Sequence, residues 1–123
     1  VSQALNHDLP SILAVSLTTS STAVNSGFQT NADKRGIKLY VTSSQASAGS
    51  FIVTIQGIYN GVAVTVLASA AISTATTNVY TVYPGLTAAA NSVANDVLPR
   101  QWQVTLTPTG FTGVVNVGAC LIV

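Results

Sequence analysis

The sequence predicts a single all-β domain, a β-sandwich of jelly-roll or immunoglobulin-like kind with about seven strands. The domain covers residues 11–123, and residues 1–10 form an extended N-terminal arm. Three observations predict this. Val, Ile, Thr and Tyr recur in short runs, which suits a pleated, half-buried backbone. Clusters of Gly, Asn, Pro and Ser separate the runs. Hydrophobic residues make up 48% of the chain and charged ones 6%. Material for a core is therefore ample, and the low-hydrophobicity, high-charge signature of disorder is reversed.

The arm ends at Leu9-Pro10, because proline biases the residue before it away from helix. The first strand is expected over Ile12 to Thr19. A polar loop follows from Ser20 to Gly36, with a short strand near Ala23 to Gln29. Ile37 to Ser43 alternates: Ile37, Leu39 and Val41 face one way, Lys38, Tyr40 and Thr42 the other, as a half-buried strand requires. Phe51 to Tyr59 and Val62 to Ala68 are two strands around Asn60-Gly61, the pair of residues that best supplies the two positive φ angles of a type I′ hairpin turn. The window Phe51 to Ile72 carries no charge, but Gln56, Gly57, Asn60 and Gly61 at its centre favour this hairpin over a membrane span. Asn78 to Tyr83 is a strand closed by Pro84-Gly85, and Leu86 to Leu98 is an ordered loop crossing between sheets. Arg100 to Thr107 sets Trp102, Val104 and Leu106 inward, with Trp102 the central core residue. Pro108 to Gly113 turns the chain back, and Val114 to Val123 is the last strand.

Composition narrows the function. The net charge is +1, from four basic residues and three Asp with no Glu. So weak a field argues against nucleic acid and membrane surfaces as partners. It also does little to keep copies of the chain apart, so an assembled state is expected. The single cysteine, Cys120, permits no disulfide within the chain and suits a reducing compartment. The stretch VSQALNHDLP lacks the basic start and apolar run of a signal peptide.

Chemistry-bearing residues are sparse. His7-Asp8 is the one imidazole–carboxylate pair, but neighbours on an extended segment point to opposite sides and make no oriented triad. Cys120 lies in an apolar strand and reads as a small buried hydrophobe. No zinc, calcium or phosphate-binding spacing occurs, so no cofactor, metal or catalytic residue is expected. Asp33-Lys34-Arg35 with Lys38 is the one charged patch, either a solubilising loop or a contact for an acidic partner. The candidate partner contacts are therefore Leu5, His7 and Leu9 on the arm, and Lys34, Arg35 and Lys38 on the patch. Asp96 and Arg100 are expected to pair and fix the loop between them. Tyr40, Tyr59, Tyr80 and Tyr83 are the candidates for an exposed aromatic platform, which beside Asn or Asp would suit a glycan.

A longer pattern adds to this. Asn78 to Val104 reads NVYTVYPGLTAAANSVANDVLPRQWQV. The strand ending Val82-Tyr83-Pro84-Gly85, the loop with Asn91, Asn95 and Asp96, and Leu98-Pro99-Arg100 before Trp102 resemble small proteins encoded near the major capsid gene of tailed bacteriophages. The hairpin Phe51 to Ala71 and the end with Gly118-Ala119 are similar to that family as well. The resemblance implies a capsid decoration, or cement, protein. Such a protein is made in the host bacterial cytoplasm and bound to the outside of the virion shell. Its partner is the major capsid protein, and it is a homo-oligomer, more often a trimer than a dimer. Another phage head or tail component, or a glycan-binding module, are the competing expectations.

Overall fold

The computed structural model describes residues 6–44 and 49–123. Every regular element is a strand: β1 (His7–Leu17), β2 (Val24–Asn25), β3 (Gln29–Thr30), β4 (Gly36–Ser43), β5 (Ser50–Tyr59), β6 (Val62–Ala68), β7 (Thr76–Val82), β8 (Val93–Ala94), β9 (Gln101–Thr109) and β10 (Gly113–Ile122). They form two sheets, β1-β10-β4-β7-β8 and β2-β9-β5-β6, with β3 also on β9. Counting β2 and β3 as one interrupted strand and setting β8 aside as an added edge, eight strands remain. Their order is 1-8-3-6 in one sheet and 2-7-4-5 in the other. That is the jelly-roll arrangement; an immunoglobulin sandwich keeps its last two strands in one sheet, whereas β9 and β10 lie in opposite sheets.

The alternation that predicts the strands also builds the core. Ile37, Leu39 and Val41 from β4, Phe51, Val53 and Ile55 from β5, and Trp102, Val104 and Leu106 from β9 are all buried between the sheets. Val115, Val117, Ala119 and Leu121 from β10 meet them. The Asn60-Gly61 turn has φ of 52° and 77°, and Tyr59 pairs with Val62 across it, so the two-residue hairpin forms as read. Phe111, in the turn between β9 and β10, is fully buried edge-on to Phe51 with ring centres 4.9 Å apart. It closes the core at that end.

The structure departs from the sequence reading at several points, among them a short β8 inside the expected Leu86 to Leu98 loop. The arm is not separate over His7 to Pro10: these residues open β1, with His7, Asp8 and Leu9 opposite Leu121, Cys120 and Ala119. Leu5 lies outside the described residues. β1 then bulges, advancing from Leu9 to Leu13 while β10 moves only from Ala119 to Val117. Pro10, with no N–H to give the ladder, sits in that interruption. Finally, β9 runs through Pro108 instead of stopping at Thr107. Pro108 is tolerated because Phe51 opposite it exchanges both of its backbone hydrogen bonds with Ile72 on the other side, so no donor is missed.

Candidate contact end

Strand direction places every charged residue at one end of the sandwich. His7 and Asp8 open β1, Asp33, Lys34 and Arg35 lead into β4, and Lys38 is that strand's third residue. Asp96 and Arg100 lie on the connection from β8 into β9. Backbone hydrogen bonds hold these segments together: Arg35 N donates to Ile122 O at 2.9 Å and Leu98 N to Arg35 O at 2.8 Å. At the opposite end the turns at 18–23, 69–75 and 110–112 carry only uncharged residues.

The hub of the charged end is Asn31, a residue no sequence motif singles out. It is buried, and its Nδ2 donates to Lys34 O at 2.7 Å and Leu98 O at 3.1 Å, while its Oδ1 accepts from Lys34 N at 2.9 Å. Its own N–H donates to Arg100 O at 2.6 Å. One amide thus clamps the loop before β4 to the loop before β9. The pair expected to do this does not form. Asp96 Oδ1 accepts from the neighbouring Val97 N at 2.8 Å, and among the described residues the one ion pair is Lys34 Nζ to Asp33 Oδ1 at 2.8 Å. A carboxylate four residues from a guanidinium pairs only if the loop curls that way, and here the backbone is committed to Asn31.

Arg100 is left facing a depression of about 420 Å³ lined by Thr30, Ile58, Tyr59, Pro99 and Gln101. Tyr59 is 54% exposed, and its cross-strand neighbour Val62 60%. Gly57 makes this corner possible, because a Cβ there would lie 2.6 Å from Pro99 Cγ. A second depression of about 140 Å³ is lined by His7, Thr30, Ala32, Asp33, Lys34 and Leu121, so Thr30 borders both. Two expected contacts, His7 and Lys34, therefore come together, with Arg35 exposed on the same loop. Leu9 does not join them: it packs against the chain's own core, because β1 pairing turns it inward.

A third depression, of about 300 Å³, lies on the outer face of the β1-β10-β4 sheet. It is lined by Asp8, Leu9, Pro10, Tyr40, Thr42, Asn116, Gly118 and Ala119. Asn116 Oδ1 accepts from Ser11 Oγ at 3.1 Å, which sets the orientation of its amide. His7 and Asp8 border different depressions, as adjacent residues on a strand must. Cys120 is half-buried rather than buried, on the outer face between Asp8 and Lys38 in cross-strand register. Among the described residues no three His, Cys, Asp or Glu side chains converge, and no helix is long and apolar enough to cross a membrane.

Compared with protein-family models, curated proteins and solved structures, the chain matches none.

Proposed function

We propose that this domain is a virion structural protein, a capsid decoration or cement subunit that binds the outside of the major capsid shell as an oligomer. The observation that carries the reading is the charged end. The molecule gathers all of its charged side chains, together with an exposed Tyr59 and Val62, at one end of the sandwich. Such a mixture of aromatic, aliphatic and guanidinium groups is what protein contacts use. The Asn78 to Val104 pattern supports the same reading, and the jelly roll is an architecture that viral capsid domains share, although fold alone assigns no function. The subunit stabilises by mass action: binding assembled shells and not free shell protein shifts the balance toward assembly.

The test is co-sedimentation with shells of the encoding phage from which this protein is absent. The reading expects saturable binding with a copy number set by shell symmetry, and greater resistance of the bound shell to heat. Absence of binding, or binding to tails alone, overturns it.

One observation favours a second reading, a glycan-binding module: Tyr40 lines the same depression as Asp8, Thr42 and Asn116. An aromatic face next to hydrogen-bonding groups suits a sugar ring. A glycan array on which wild-type protein and Tyr40→Ala score alike removes this reading.

A further inference from the structure

We propose that the depression between Tyr59 and Arg100 is a docking pocket for a protein segment that presents a carboxylate beside a bulky apolar side chain. This inference rests on the reading of the domain as a contact subunit and names the chemistry its partner must offer.

The chemistry of the lining points there. Arg100 is the single charged residue in the pocket, and no carboxylate lines it. Its guanidinium makes no ion pair among the described residues, since Asp96 is engaged with the Val97 amide and Asp33 with Lys34. Meanwhile its backbone is held: Arg100 O accepts from Asn31 N, and Leu98 and Pro99 before it are buried. The side chain thus projects from an anchored backbone, and only its own rotamers remain to be ordered on binding. Arginine offers a carboxylate two parallel N–H donors, so recognition is directional as well as electrostatic.

The rest of the lining is mixed, with Thr30 and Gln101 polar and Ile58, Tyr59 and Pro99 largely apolar. Pro99 and Ile58 are buried, and the Tyr59 ring stands exposed beside them. Val62 and Val64 extend this patch along β6, at 60% and 47% exposed. An exposed tyrosine and an arginine beside the buried Ile58 and Pro99 have the make-up of an interface hot spot. With a net charge of +1 over the whole chain, the field around the pocket is too weak for nucleic acid or an anionic membrane. Thr30, Gln101, Arg100 and the Tyr59 hydroxyl offer a sugar hydrogen bonds as well, so an acidic sugar is the competing ligand that the test must separate. An acidic protein segment satisfies both halves of the pocket at once.

The test uses the full chain in solution, by two-dimensional NMR, with N-acetylphenylalanine, its uncharged amide and glucuronate as probes. The acid is expected to bind saturably and move the amide signals of Ile58, Tyr59 and Gln101. The uncharged amide and glucuronate should each bind about tenfold or more weaker, as should the acid to Arg100→Gln and to Tyr59→Ala. No localised response to the acid, an equal response to its amide, or an unchanged response in Arg100→Gln overturns the proposal. Glucuronate binding as well as the acid overturns it in favour of an acidic sugar. In the shell assay, Arg100→Glu should reduce binding more than Arg100→Gln. Wild-type protein that ignores shells overturns the decoration reading and leaves the pocket to be judged by the NMR result.

Discussion

Pro99 occupies the space that a side chain at position 57 would need, since a Cβ built on Gly57 falls 2.6 Å from Pro99 Cγ and 3.0 Å from the Tyr59 ring. This close approach joins the tip of the β5–β6 hairpin to the start of β9, and it shapes the pocket in front of Arg100. Gly57→Ala forces Pro99 or the Tyr59 ring to move. The expected cost is about 1–3 kcal/mol, typical of overpacking a tight contact. Urea unfolding measures it, and NMR signals of residues 58–59 and 100–101 should shift while those of the far end stay in place.

Asn31 carries the second prediction. Asn31→Ala removes three side-chain hydrogen bonds and leaves the Lys34 amide and the Lys34 and Leu98 carbonyls without those partners. The loss should be about 1–3 kcal/mol, the cost of stranding buried polar groups. Asp96→Ala, at an exposed side chain that bonds only its neighbour's amide, should stay within about 0.5 kcal/mol. If instead Asp96→Ala proved the costlier of the two in chemical denaturation, the clamp would not be where the hydrogen bonds place it.

The contrast between these two sites shows what the sequence makes legible. Strands announce themselves locally: the Ile37-to-Ser43 alternation and the Asn60-Gly61 turn need no knowledge of distant partners, and both form as read. Loop side chains are different. Whether Asp96 meets Arg100 or Asn31 meets Leu98 depends on which backbone segments the fold brings together, at sequence separations no local pattern encodes. The same holds for Leu9, which looks like a free arm residue until β10 pairs with it. It holds for Pro108 too, whose missing donor matters only if the strand opposite offers an acceptor. The charged end was half visible: Lys34 and Arg35 are conspicuous in a chain this neutral, whereas Tyr59 beside Arg100 emerges only from the folded hairpin.

Tyr80 supplies a pH dependence. It lies inside the sandwich on β7, and burial pushes its phenol above the ordinary value, with the Ser69 hydroxyl drawing it partly back. In the unfolded chain the phenol ionises near pH 10. The native chain keeps the proton to higher pH, so between those points the native state binds more protons than the unfolded one. Stability from this group is therefore complete below about pH 10 and falls as the pH rises through the native value. Tyr80→Phe removes the effect, so the difference in unfolding free energy between wild type and variant should shift against wild type above pH 10. A constant difference from pH 8 to pH 11 would contradict the buried placement.

Gly118 ties the irregularity of β1 to the depression beside Tyr40. A Cβ at 118 would fall 2.7 Å from the Pro10 carbonyl oxygen, so the bulge that Pro10 imposes on β1 can settle onto β10 only where β10 has no side chain. Backbone cannot yield as a flexible side chain does. Gly118→Ala should therefore displace the Leu9-to-Leu13 segment, at a cost of about 1–3 kcal/mol. It should also part the depression's two walls, Asp8 and Pro10 on one side and Tyr40 on the other. If sugars bind there, this variant and Tyr40→Ala should lose them together. Hydrogen exchange at residues 11–13 reports the displacement directly: faster exchange in Gly118→Ala than in wild type is expected, while equal rates would mean that β1 is not held by this contact.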